Sequence, residues 1–212
     1  MKHIWSTILG LALVIIACPA ITLAVPPAKE SARDMYYRTL GEYFKLPDSV
    51  VSAIHERRVP DEDLTVVLFM SKQTGLQPDA VADLRLLRKS WAELTAHFGL
   101  TPEVYFMPLD SQPAAPFTKA WTLFRTTPKT QWKKIVLDDN DITNLVNLRF
   151  IATYYKVPAT EVVRLRAQGR SYVDIAYEVS NPAFKAKLLG TEKTVRSHLR
   201  EPIKKKPVVA EH

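Results

Sequence analysis

The chain has 212 residues, 47% of them apolar and 24% charged, with a formal net charge of +7 and one cysteine. This balance is that of a globular chain and excludes the low-apolar, highly charged class that stays disordered. A single cysteine rules out an internal disulfide, so a hydrophobic core must hold the fold, while the modest positive excess permits an anionic partner without requiring one.

The first segment reads as an export signal. Lys2 precedes a near-continuous apolar run from Ile8 to Ala17, Pro19 interrupts it, and Thr22-Leu23-Ala24 supplies small residues around a cleavage point. That order is the plan of a secretory signal peptide, and the run falls short of the about 20 residues a spanning helix needs. Cleavage after Ala24 is expected, giving a periplasmic or otherwise exported chain. Ile15-Ile16-Ala17-Cys18 resembles a lipoprotein signal, which makes Cys18 a candidate lipidation site and a lipid anchor the one route to a membrane.

Three segments then align without gaps: 46–68, 76–98 and 157–179. Leu46, Leu76 and Val157 open them, and Pro47, Pro78 and Pro158 follow where a first helical turn accepts proline. Val51, Val81 and Val162 recur with Ile54, Leu84 and Leu165 three residues on, one apolar stripe on a short helix. Ser90 with Glu93 and Ser171 with Asp174 are capping-box pairs that start a second helix, and Asp61, Glu62 and Asp63 fill that slot in the first unit. The second helices bury Leu64 and Leu68, Leu94 and Phe98, and Ile175 and Val179. Each unit is thus expected to be a helical hairpin preceded by an amphipathic leader helix.

The expected fold is mainly α, with duplicated helix-turn-helix-like hairpins in two small lobes. The layout is a signal peptide at 1–24, a first lobe at 25–100 with two hairpin units, a linker at 101–137, a second lobe at 138–200 with the third, and a basic disordered tail at 201–212. The linker holds Pro102, Pro108, Pro113, Pro116 and Pro128, which prevent long helices. Within it, 104–107 and 134–137 are candidate short strands.

Glu161-Val162-Val163-Arg164-Leu165, Gly169-Arg170-Ser171 and Asp174-Ile175-Ala176 resemble the opening of a LuxR-type DNA-binding domain, and residues 191–200 resemble its recognition helix. The resemblance covers about 40 residues and implies, as an alternative function, a regulator whose helix enters the major groove. The chain from its signal through the paired units also resembles uncharacterised exported bacterial proteins, which implies an envelope location and supplies no activity.

Catalytic and metal motifs are missing from the sequence. It holds no H-E-x-x-H, G-x-S-x-G or phosphate-binding glycine loop. Asp138-Asp139-Asn140-Asp141 fails as a calcium loop, since Asn144 and Phe150 stand where glycine and glutamate are needed. No enzyme, cofactor or metal is therefore expected. One polar pattern remains: His55, Arg85 and Arg166 recur at matched positions, each followed eight residues later by Asp63, Glu93 or Asp174. The preferred reading is an ion pair across the turn of each unit, Arg85 with Glu93 and Arg166 with Asp174. The alternative is a basic ladder, extended by Arg88 and Arg170, that grips an anionic envelope polymer. Trp121 and Trp132 are further binding candidates, because a proline-rich linker has little core of its own. The leading functional expectation is a non-catalytic exported scaffold or binding module. Its partner would be an envelope protein or an anionic polymer rather than nucleic acid.

Overall fold

The computed structural model describes residues 30–188 and residue 190. The signal segment, Cys18, residues 191–200 and the basic tail lie outside the described residues. Among those described there are eleven helical elements up to Ser180, a further helical stretch at 182–188, and no strand. Helix α1 spans Ala32–Phe44, α2 Asp48–Glu56, α3 Asp61–Thr74, α4 Pro78–Leu86 and α5 Trp91–His97. A 3-10 turn at Pro102–Tyr105, α6 at Thr118–Thr126 and a second 3-10 turn at Lys129–Lys134 fill the proline-rich segment. Helices α7 at Asp139–Tyr155, α8 at Ala159–Ala167 and α9 at Tyr172–Ser180 complete the order. None of these helices is long and apolar enough to cross a membrane.

Local chemistry sets the boundaries. Ser90 accepts from the Glu93 amide at 3.0 Å while the Glu93 carboxylate accepts from the Ser90 amide at 2.7 Å, a complete capping box. Ser171 accepts from the Asp174 amide at 3.1 Å and donates its hydroxyl to the same carboxylate at 2.7 Å. Helices α1, α3 and α7 end on left-handed residues, Lys45, Gly75 and Lys156. The turns after α2, α4 and α8 contain left-handed Arg58, Arg88 and Gly169. The left-handed region suits glycine and costs other residues about 1–2 kcal/mol. Arg88→Gly, at φ 63°, is therefore expected to raise stability by about 0.5–1 kcal/mol after the added freedom of the unfolded chain is counted. Gly169→Ala should lower it by about 1 kcal/mol. Urea unfolding measures both, and a destabilised Arg88→Gly would show that the arginine side chain outweighs its backbone cost.

The core does not divide into two lobes. Helices α3 and α7 pack together at the centre, both covered on nearly every face, and residues 63–71 and 141–148 are buried without interruption. A helix buried all round needs neighbours on all sides, and each central helix takes the other as one of them. Helix α1 packs on α2 and also on α9, which ties the two ends of the described chain together. Val81 and Leu94 share one continuous buried cluster with Val162, Leu165 and Ile175, and Leu84 and Phe98 lie half-buried against it. Gly41 sits mid-helix in α1 because a Cβ there would meet the Leu46 carbonyl at 2.9 Å and an Asp48 oxygen at 2.8 Å.

The candidate strands are corrected. Val104 and Tyr105 belong to the first 3-10 turn, Lys134 closes the second, and 135–137 runs as irregular backbone with no ladder partner among the described residues. Pro102 starts the turn, and half-buried Arg149 of α7 holds it by donating to the Val104 carbonyl at 2.7 Å and the Phe106 carbonyl at 2.5 Å. Two charge-assisted hydrogen bonds to backbone carbonyls thus fix the proline-rich insertion onto the central helix.

Candidate functional site

The recurring bases are consumed inside the fold. His55 on α2 lies 3.4 Å from Asp61, and both share the Tyr37 hydroxyl. Arg85 on α4 donates to Asp63 at 3.0 Å and to Asp139, at the start of α7, at 2.6 Å. Arg166 on α8 makes a two-pronged bond to Glu62, at 2.8 and 2.9 Å. Bases from three short helices therefore converge on Asp61, Glu62 and Asp63, the three consecutive acids of α3's first turn. Those acids already suit the positive end of the helix dipole. Burial pulls the Arg85 guanidinium toward neutrality, but the bonds and charges of Asp139 and Asp63 outweigh this and hold it above its ordinary value.

The expected partners were wrong for a physical reason. Glu93 is occupied by the Ser90 cap and Asp174 by the Ser171 cap, so neither carboxylate is turned toward Arg85 or Arg166. Both arginines instead stack over the aromatic residue that opens the next helix. The guanidinium of Arg85 lies 4.5 Å from the Trp91 ring, and that of Arg166 lies 4.4 Å from the Tyr172 ring. Trp91 Nε1 donates to Asp63 at 3.1 Å, and at the matching place the Tyr172 hydroxyl donates to Asn144 at 2.6 Å. Burial pushes the Tyr172 hydroxyl far above its usual pKa, so it remains a donor.

Nor do the remaining ladder candidates form an open basic face. Arg170 pairs with Glu178, and Arg164 with Glu161. Arg88 is exposed at its left-handed turn and is not gathered with the others. A second buried network surrounds the same helix start. The Tyr36 hydroxyl donates to Asn147 at 2.7 Å and meets Thr65 at 2.7 Å, and the Asn147 amide donates to the Glu62 carbonyl at 2.9 Å. Among the described residues every buried side-chain polar atom has a partner, as a structural polar core requires. No group of three His, Cys, Asp or Glu among them is placed to hold a metal ion.

Trp121 and Trp132 are brought to one open hollow. They line a hollow of about 310 Å³ with Phe106, Phe117 and Phe124, floored by Leu145 of α7. Phe106, Phe124 and Trp132 form a packed trio, with ring centroids 4.5, 5.1 and 5.2 Å apart. The indole N–H groups are held by backbone, Trp132 to the Thr127 carbonyl at 2.9 Å and Trp121 to that of Leu109 at 3.4 Å. The wall carrying Phe106 is the one that Arg149 fixes. Two exposed cations complete the lining. Arg125 lies 5.9 Å from the Trp121 ring and Lys129 lies 5.7 Å from the Trp132 ring. Among the described residues neither has a carboxylate within ion-pair distance. A hollow between 109–114 and α8 is larger, about 400 Å³, but its one charge, Arg164, is already paired.

Sequence reasoning missed Arg125, Lys129 and Arg149. The signal was there: residues 101–137 carry five lysines and arginines against two acids, interleaved with the aromatic residues. No family model, curated protein or solved structure matches this chain.

Proposed function

We propose that the chain is a non-catalytic, exported helical binding module in which the hairpins are scaffold and the proline-rich insertion carries the ligand site. The hollow around Trp121 and Trp132 carries this reading. It is apolar, preformed and walled by five rings, and it falls at the small end of the range usual for ligand pockets. Its rim cations have no carboxylate partner among the described residues. The hairpins support the scaffold role, since their recurring bases are neutralised internally by α3 and α7. Left-handed residues at matched places after each leader and each short helix support a duplicated hairpin unit. Export rests on the order Lys2, apolar run, Pro19 and Ala24 in the sequence.

The test is binding of a neutral apolar dye, N-phenyl-1-naphthylamine, whose emission rises in a dry site. The chain lacking residues 1–24 is expected to give a saturable rise with about one dye per chain, as one pocket of this size implies. Trp121→Ala should weaken that rise about tenfold by removing one ring wall, while its melting curve shows the fold intact. No rise up to the solubility limit of the dye would remove the hollow as a ligand site.

A further inference from the structure

The hollow joins an apolar floor to a charged mouth, and that combination selects a ligand with two ends. Its lining is mostly rings, Leu145 and the flexible Met107, a surface that conforms to a hydrocarbon, with Thr127 as its one side-chain hydroxyl. The indole donors, which would orient a polar ligand, are already committed to the Thr127 and Leu109 carbonyls. At the rim stand Arg125 and Lys129, one on α6 and one opening the 3-10 turn, each over a tryptophan face. Arg85, Arg149 and Arg166, on the helices of the scaffold, have found carboxylates or carbonyls. Arg125 and Lys129 have ring faces only among the described residues, so their charge is available to an incoming anion.

From this arrangement we infer that the site takes a single-chain amphiphilic anion, a medium-chain acyl carboxylate, with its chain among the rings and its acid group between Arg125 and Lys129. The inference rests on the hollow being the ligand site. Size supports the chain length. At roughly 30 Å³ for a water-sized group, 310 Å³ accepts on the order of ten methylene-sized groups. Both cations line the one hollow, and a guanidinium and an ammonium can each donate to a carboxylate oxygen. The positive excess of residues 101–137 draws the anion toward that mouth from solution.

Displacement of N-phenyl-1-naphthylamine from the chain lacking residues 1–24 tests this, with decanoate, 1-decanol and acetate as competitors. Decanoate is expected to displace the dye at a concentration about tenfold below that of decanol, because only the anion reaches the two cations. Acetate, with the charge and no chain, should not displace it. Arg125→Gln and Lys129→Gln should each raise the decanoate midpoint about three- to tenfold and leave the decanol midpoint within about twofold. Added salt should weaken decanoate alone. Equal midpoints for decanoate and decanol, or glutamine variants that do not change the decanoate midpoint, would overturn the acyl-carboxylate assignment while dye binding leaves the hollow standing as a site. Absence of dye binding would overturn both.

Discussion

Trp91→Ala is expected to lower the unfolding free energy by about 3–5 kcal/mol. Trp91 is fully buried and opens α5, where three interactions meet on one side chain. Its ring fills core volume, its Nε1–H donates to Asp63 at 3.1 Å, and Arg85 stacks 4.5 Å from its face. Alanine keeps the backbone bond from residue 91 to Asp139 and loses the rest, leaving a cavity beside a carboxylate that has one donor fewer. Trp91→Phe separates the parts, retaining most of the volume and losing the N–H, at an expected cost of about 1–3 kcal/mol. Urea unfolding followed by circular dichroism measures both. A loss below about 1 kcal/mol for the alanine variant would take the indole out of the core.

Asp63→Ala is expected to cost a similar amount, about 3–5 kcal/mol, through charge rather than volume. The Asp63 side chain is only 11% exposed and serves Arg85 and Trp91 together. Its removal leaves the indole N–H without an acceptor and the partly buried guanidinium dependent on Asp139. Because the two residues meet at one hydrogen bond, the double variant Asp63→Ala with Trp91→Ala should cost less than the sum of the singles by about 1–2 kcal/mol. Strict additivity would mean that the contact is not made in solution.

Most of the local architecture was legible because it is written in short-range chemistry. The serines at 90 and 171, the prolines at 47, 78 and 158 and the recurring valines mark helix starts and buried stripes that the structure contains. The illegible part depends on residues far apart in the chain. Arg166 finds Glu62 across 104 positions, and Tyr36 finds Asn147 across 111. Proximity favours Glu93 and Asp174 as partners, but a cap bond three residues away claims each of those carboxylates first. The apolar, ring-bearing composition of 104–107 suits an extended chain, yet Arg149 from α7 holds part of it in a turn. The candidate site was half legible. Trp121 and Trp132 stand out as rings without an obvious core, whereas Arg125 and Lys129 gain meaning only once α6 and the following turn place them over those rings.

Arg85 and Trp91 of α4 and α5 reach Asp139, while Arg166 of α8 reaches back to Glu62, and this crossing governs the order in which the chain can fold. A chain emerging N-terminus first presents α1 to α5 while α7 is still absent. The α7-facing side of α3 then has no cover, Glu62 lacks Arg166 and Arg85 lacks Asp139. Loop closure over about a hundred residues has to come before these contacts can form, so the last step is slow relative to the hairpins themselves. During that interval the first half exposes an apolar helix face of the kind that makes partly folded chains aggregate. A holding factor at the exit would cover that face during the interval, and rapid release of the remaining chain would shorten it.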